Sequence, residues 1–457
     1  MIWDPFNAWP AGRRWLWGLL AVLVTVVQVA DFIGLLRPSR EVGVDFFRNW
    51  IAARYILDGV PIYTDQEAGI GRYLSYRPVP ECPHVNKLTH PPPAAILALP
   101  FAWLDYPEAT LAWNIVSLVT LAVSLWLIGR HLMIPFPSWG ICPLMTLLLL
   151  CGPLRAQLHE GQFNLLLLLL LTGSWTAERS GRLWWAGGLV GVATAIKFFP
   201  GFVLLHFLMR REWKAFVAGV ASFATITALT MLVVGPESYS TYIFDVLPIL
   251  SQDRANWLNS SVIGFWSKLF DPGDGYAARF VIPLAHSRLV ARLGIFLSVC
   301  GILAGWACSV WSARSTAEND RAFGLTLTTM LLLSPVTWDH YFLLLTLPIT
   351  LIWLALPDSP WVKGWLLATL VALWFETSAV WRMLIPVTAS DAWPIGIAAP
   401  VQTMTVFSYQ FYALLSLFIL DLVVARRGPG NRVSNGVVTA PSASVTSNRS
   451  GSGVELI

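Results

Sequence analysis

The chain has 457 residues, of which 56% are hydrophobic and only 12% charged, with a mean hydropathy of +0.62. This excludes an ordinary soluble protein of this length and predicts a polytopic membrane protein, with 24 tryptophans available for belts at headgroup level. A net charge of +4 spread among the loops leaves no footprint for nucleic acid. Five cysteines, with Cys142, Cys151, Cys300 and Cys308 in apolar segments and Cys82 in a polar loop, predict neither a disulfide framework nor a zinc site.

Arg13 and Arg14 precede an apolar run from Trp15 to Leu36, long enough to span a hydrocarbon core of about 30 Å. Positive charge on that side places the N-terminus in the cytoplasm. The run is too long for a cleavable signal, and no small-residue cleavage site follows it. Residues 37–105 then form the largest extramembrane region, on the outer side.

That region opens with VDFFRNWIAARYIL, Val44 to Leu57. Wound at a helical period, Phe46, Phe47, Trp50, Ile51 and Leu57 share one arc, while Asn49 and Ala52 fall outside it, so a helix lying in the interface plane is expected. Arg54 falls inside the apolar arc, where a guanidinium must snorkel or meet an anion such as a sugar-linked phosphate. Asp45 stands at the helix start. It is read either as an N-cap taking backbone N–H groups of Phe47 or Arg48, or as a catalytic base, and both roles are compatible. Farther on, THPPPAAILALPFAWL has an apolar part, Ala94 to Leu104, too short to span and preceded by three prolines. It predicts a second interfacial or re-entrant helix. His90 serves the proline turn or a site.

Ala109 to Ile128 crosses inward to Arg130 and His131, and Cys142 to Leu154 returns. At that outer end RAQLHEGQFN, Arg155 to Asn164, interrupts two apolar runs; Gln162 and Asn164 either cap the following helix or line a cavity. Trp184 to Met209 is broken by Lys197 and Pro200 in AIKFFPG. Basic residues flank both ends, Arg182 before and Arg210, Arg211 and Lys214 after, so a hairpin of two short helices with Lys197 at its outer tip is expected. The alternative is one long kinked crossing. An intramembrane lysine is a functional candidate under either reading.

A span from Phe216 to Val234 leads out to LNSSVIGFW, whose Asn259-Ser260-Ser261 matches a glycosylation sequon by coincidence. Leu289 to Val310 goes in, Phe323 to Leu333 comes out, and the chain breaks at SPVTWDHY before Phe342 to Leu356 returns. Trp361 to Leu384 and Val401 to Val424 complete about twelve crossings. Arg426 and Arg427 hold the C-terminus inside. The tail, residues 428–457, is rich in Ser, Gly and Asn and is expected to be disordered. In this topology Asp45, His90, Gln162, Asn164, Lys197, Asn259 and His340 all lie at outer span ends or in outer loops, outlining a water-accessible cavity. His340 is otherwise a hydrogen-bonded core histidine beside Trp338.

In this order, DFFRNWIAARYILDGVPIY, THPPPAAILALP, EGQFNLLLLLLL, GLVGVATAIKFFPGFVLL, NSSVIGFW and LLLSPVTWDHYF resemble the polyprenol-phosphate-mannose-dependent mannosyltransferases of glycosyltransferase family 87. The resemblance runs from the first span to about Leu345. It implies an all-α polytopic membrane protein of GT-C type, a helical bundle within residues 1–427 with interfacial helices in the first outer loop. It also implies an acidic base in that loop, which Asp45 matches, and a polyprenyl-phosphate sugar as donor. His340 matches the family histidine near the donor phosphate, and Lys197 the lysine at the tip of the short helix pair. The sequence departs from the pattern in carrying His90 where many members have Tyr before Pro-Pro, and Ser260 where many have Gln after Asn.

These residues lead to an expectation of hexosyl transfer, mannose being the family's best-known sugar, to a lipid or glycan acceptor at the periplasmic or extracellular face of the cell membrane. Asp45 would be the base. Lys197, His340 and Arg54 would bind the donor phosphate, and His90, Gln162, Asn164, Asn259 and Trp338 would contact substrate. If Asp45 is not the base, Asp65, Glu67, Glu160 and Asp339 are the outer carboxylates to test first. No DxD pair lies near Asp45, so no metal and no cofactor are expected, and the partners are the lipid-linked donor, the acceptor and membrane lipids. The rival reading is a transporter or flippase for lipid-linked sugars, which would show broken helices too but usually also internal repeats, and none is found.

Overall fold

The computed structural model describes residues 11–37, 41–42, 45–74, 79–80, 88–134, 148–375, 380, 383–384 and 397–426. The expected disordered tail, Cys82, Cys142 and Arg427 lie outside the described residues. The chain is a helical bundle. Among the described residues a parallel pair of two-residue strands, β1 (Glu41–Val42) and β2 (Val79–Pro80), lies within the first loop.

Helix α1 (Ala11–Leu36) has 26 residues, about 39 Å at a helical rise, and leaves Leu16, Leu19, Leu23 and Val26 exposed, as lipid contact requires. Then come α2 (Asp45–Leu57), α3 (Gln66–Tyr73), α4 (Pro92–Ala98), α5 (Tyr106–His131), α6 (Gly152–Glu160), α7 (Asn164–Arg179), α8 (Leu183–Ile196), α9 (Phe202–Met209) and α10 (Trp213–Val234). Short helical turns cover residues 236–255. They lead to α11 (Val262–Phe270), α12 (Arg288–Ser312), α13 (Thr316–Leu333), a 3-10 segment (Asp339–Leu345), α14 (Thr346–Ala355), α15 (Pro360–Trp374) and α16 (Tyr409–Arg426). Among the described residues four helices are long and apolar enough to cross a membrane: α5, α10, α12 and the run Pro400–Val424. Shorter apolar helices fill the space between them.

The direction of each central helix follows from the residues that meet. Ser174 Oγ donates to the Ala186 carbonyl at 2.9 Å, so α8 turns back along α7. Gly187 lies on Ala215 and Gly191 on Gly219 so closely that an added Cβ would come within 1.8 and 2.3 Å of the facing carbonyl oxygens. Backbones can touch this way only where small residues recur every fourth position, and the pairing makes α8 and α10 parallel. Leu204 of α9 also lies on Gly219, and a tight turn at Arg210 joins α9 directly to α10. Helix α9 is therefore antiparallel to α10 and to α8. The run from Trp184 to Met209 is thus a hairpin of two short helices, not one kinked crossing, and Lys197 sits at its tip with extended backbone (φ −143°, ψ 137°).

Helix α2 departs from expectation. Instead of lying with one face in the interface, it buries Phe46, Phe47, Arg48, Asn49, Trp50, Ile51, Ala52, Ala53 and Tyr55. Asn49, outside the apolar arc, is fully buried, whereas Leu57, inside it, is 41% exposed. The reason is tertiary: α3, α4 and α5 pack around the helix. Phe47 meets Tyr106 edge-on at 4.9 Å and Phe46 stacks on Trp113 at 5.7 Å. Each such side chain contributes about 1.5–3 kcal/mol over exposure to water.

Candidate active site

The hairpin, the end of α6 and the start of α2 bring their polar residues to one end of the bundle. Helix α6 ends at Gly161 in the left-handed region (φ 60°), and an added Cβ there would sit 2.4 Å from the Phe46 Cβ. Glycine is required on both counts. This close approach places Gln162 directly against Asp45.

Asp45 Oδ1 accepts from Arg48 Nη1 at 2.6 Å, and Oδ2 accepts from Gln162 Nε2. The other end of the same amide, Gln162 Oε1, accepts from Lys197 Nζ at 2.6 Å. Lys197 Nζ also reaches Asn164 Oδ1 at 3.4 Å and lies 4.6 Å from the centre of the Tyr341 ring, a cation–π distance. Asn164 Nδ2 donates to Gln157 Oε1 at 3.1 Å and to the His340 carbonyl at 3.4 Å, and Gln157 Nε2 donates to the Gln162 carbonyl. Asn49, one turn along α2 from Asp45, donates to the Asp45 carbonyl at 2.7 Å and meets His90 Nδ1 at 3.4 Å. Asp45, His90, Gln162, Asn164, Lys197 and His340, distant in sequence, therefore form one connected polar cluster.

The electrostatics suit a carboxylate that stays ionised. Burial pushes the Asp45 carboxyl up, but the neighbouring positive charges, Arg48 first and Lys197 after it, outweigh it and hold the group below its ordinary range. Burial, with Lys197 adding to it, pushes the His90 imidazole down to about 3, so it is neutral at working pH. The Asp45 side chain remains 20% exposed. His340 Nδ1 lies 3.3 Å from Asp339 Oδ1, while His340 Nε2 is buried with no protein partner. A buried ring nitrogen left unsatisfied is the kind of group that awaits a ligand.

Other expected site residues lie elsewhere or do other work. Arg54 is nine residues along α2 from Asp45, about 13 Å at a helical rise. It donates to the Leu104 carbonyl at 2.9 Å and stacks over Trp50 and Tyr73. Its place in the apolar arc is explained by those rings rather than by contact with the cluster. Asn259 is fully buried and uses its amide on backbone: Nδ2 donates to Arg254 and Pro335 carbonyls, and Oδ1 accepts from the Ser261 and Thr337 N–H groups. It fixes the loop that delivers the 3-10 segment and His340. Trp338, half-buried, precedes that segment and packs on the core.

Sequence reasoning missed Gln157, Asn49 and Asp253. The first two carry a local signal, since Gln157 lies in the same polar insertion as Gln162, and Asn49 follows Asp45 at the helical i, i+4 spacing. Asp253, on the turn Ser251–Ala255, carries none. Burial pushes its carboxyl up, and the charges of Arg48 and Asp45 both act on it, so it belongs to the same neighbourhood. The other carboxylates are engaged differently: Asp65 caps α3 through Glu67 N–H at 3.0 Å, Glu67 is exposed, and Glu160 lies 3.5 Å from His159.

The profile of glycosyltransferase family 87 matches residues 88–335, more than half of the chain, and takes in His90, Gln162, Asn164 and Lys197. The chain belongs to glycosyltransferase family 87. It is therefore a membrane glycosyltransferase, and the transporter reading falls away. This family 87 chain is 28% identical over 95% of its length, and 97% of the relative's, to a polyprenol-phosphate-mannose-dependent alpha-(1-2)-phosphatidylinositol mannoside mannosyltransferase of Mycobacterium tuberculosis. It is 28% identical over 69% of its length, and 75% of the relative's, to the corresponding pentamannoside enzyme of Mycolicibacterium smegmatis. It is also similar, at 23% over 56% and 58% of the two chains, to an alpha-(1->3)-arabinofuranosyltransferase of Corynebacterium glutamicum. No solved structure matches it.

Proposed function

We propose that this enzyme transfers a hexose, mannose by the names of the mannosyltransferases it is similar to, from a polyprenyl-phosphate donor to a lipid or glycan acceptor at the outer face of the membrane. The reading includes about twelve crossings, cytoplasmic termini, and the Asp45 end of the bundle facing outward. The observation that carries it is the bridge in which one amide, Gln162, joins the Asp45 carboxylate to the Lys197 ammonium. A base for the acceptor and a cation for the leaving group are held apart by one amide, and displacement at an anomeric carbon needs the two on opposite sides of that carbon.

In this reaction the acceptor oxygen bonds to the anomeric carbon as the bond from that carbon to the phosphate oxygen breaks. The electron pair leaves with polyprenyl phosphate, and the hydroxyl proton passes to Asp45. The carboxylate offers about four lone-pair sites, and Arg48 and Gln162 occupy two, leaving room for the incoming hydroxyl. The phosphate gains a negative charge as it leaves. Lys197, and His340 in the form that carries a proton on its open Nε2, stabilise that charge, where preorganised electrostatics has its largest effect. Because these groups meet the charge, the reading calls for no metal ion.

Transfer of radiolabelled mannose from polyprenyl phosphate mannose into an acceptor lipid extract by purified protein tests the proposal. Transfer that persists in EDTA is the expected result. No transfer from this donor refutes the donor assignment, and loss of transfer in EDTA with recovery on adding a divalent cation refutes the metal-free chemistry.

A further inference from the structure

The end of the bundle opposite Asp45 carries a second concentration of charge. Helix α7 runs from Asn164, in the Asp45 cluster, to Arg179, about 22 Å away at a helical rise. Arg182, Arg210 and the start of α13 lie at the Arg179 end, since α8 and α9 are antiparallel and Arg210 Nη1 donates to Asn319 Oδ1 at 2.6 Å. Two cavities flank the turn between α9 and α10. One, of about 380 Å³, is lined by residues 181–185, including Arg182, Trp184 and Trp185, and by Lys214. The other, of about 270 Å³, is lined by residues that include Arg210, Arg211, Arg314 and Trp311.

The acidic groups nearby are already engaged. Glu178 pairs with His206 at 3.3 Å and Arg210 at 3.5 Å, and Glu212 pairs with Arg210 at 3.3 Å. Asp320 holds Arg179 and the Trp175 indole, and Glu318 accepts backbone N–H groups in the capping box of α13. Arg182, Arg211, Lys214 and Arg314 are all exposed, and among the described residues no ion pair is formed by any of them. Arg211 also sits in the left-handed region (φ 60°), an unusual conformation for a side-chain-bearing residue, and there its guanidinium lies over the Trp311 ring at 5.7 Å.

The surroundings are lipid-facing. Only 11% of the apolar stretch of α10 is buried, and Trp184, Trp185, Trp213 and Trp311 project from this rim, as tryptophans do at headgroup level. Unpaired cations in cavities between membrane helices at that level match a phosphodiester, which a guanidinium grips with two parallel hydrogen bonds.

We propose that these two cavities hold the phosphodiester head groups of anionic phospholipids in the leaflet opposite the Asp45 end. The site is remote from the transfer chemistry and anchors the α8–α9 hairpin, whose tip carries Lys197.

The test uses full-length protein in neutral-detergent micelles doped with phosphatidylglycerol, phosphatidylcholine or, as a lipid-free source of the same chemistry, inorganic phosphate. Phosphatidylglycerol is expected to raise the unfolding temperature by about 2–4 °C over phosphatidylcholine. It should also remain as an adduct in native mass spectrometry. Arg211→Gln/Arg314→Gln and Arg182→Gln/Lys214→Gln should each lose part of that shift, and Arg211→Lys/Arg314→Lys, which keeps the charge but not the paired hydrogen bonds, should lose less of it than Arg211→Gln/Arg314→Gln. Equal stabilisation by the two lipids, or an undiminished shift in both glutamine variants, overturns the site. A full shift from inorganic phosphate alone overturns the lipid assignment.

Discussion

Asp45 and Lys197 grip opposite ends of a single amide. Gln162 donates to the carboxylate through Nε2 and accepts from the ammonium through Oε1 at 2.6 Å, so opposite charges on α2 and on the α8–α9 tip are fixed without touching. The arrangement leaves the lysine free to meet a phosphate and the carboxylate free to meet a hydroxyl, and it gives the substitutions below distinguishable outcomes.

Asp45→Asn is expected to insert and express but to transfer sugar about 10²–10⁴-fold more slowly, the usual cost of losing a general base. Asparagine is as good an N-cap as aspartate, so a purely capping role predicts near-normal turnover. The substitution also sets an NH₂ against the Gln162 NH₂, or turns its own oxygen away from Arg48. Measuring turnover and donor binding together separates base loss from site collapse. Near-normal turnover would remove Asp45 as the base and make Asp253, which shares its electrostatic environment, the first replacement to test.

Lys197→Met removes the cation while keeping the side chain's length. Donor KM should rise and turnover fall, with protein still in the membrane, if Lys197 supplies the charge that meets the leaving phosphate. An unchanged donor concentration dependence would take Lys197 out of the donor site and leave it as a structural partner of Gln162 and Asn164.

His90 links acid stability to the site. Its pKa is depressed from 6.5 to about 3 in the folded protein, so the unfolded chain binds the extra proton first. The stability it contributes is present above pH 6.5 and is lost progressively as pH falls from 6.5 toward 3. Thermal unfolding followed between pH 7 and pH 4 should therefore show a shallower acid decline in His90→Gln than in the wild type. Identical slopes would show that His90 is not held neutral by its burial.

Topology follows from geometry as well as charge. Since Arg182 and Arg210 lie at the same end of the α8–α9 hairpin and Lys197 at the other, one reporter orients the whole unit. Fusions after Arg182 and after Arg427 should both read as cytoplasmic. A periplasmic reading after Arg182 would invert the site, putting Asp45 and Lys197 on the inner face.

The sequence alone determined what depends on the free energy of transferring each residue: the membrane class, the long apolar runs, and the breaks at Asp45, His90, Gln162, Lys197 and His340. A polar group in an apolar run is costly wherever it lies, so its cost is visible without a partner. The break at AIKFFPG likewise implied a helix pair, because proline and basic flanks act locally. Which polar groups meet was decided only by tertiary structure. Gln162 and Asp45 are 117 residues apart, and nothing in a period of 3.6 encodes that contact. It depends on Gly161 admitting Phe46, and on Gly187 and Gly191 letting α8 lie on α10. The same long-range packing buried most of α2, turned Arg54 toward Leu104 and Tyr73, gave the Asn259 amide to a loop, and brought Asp253 within the influence of the Arg48 and Asp45 charges. A helical wheel shows which residues share a face; what that face meets is set by elements arriving from elsewhere in the chain.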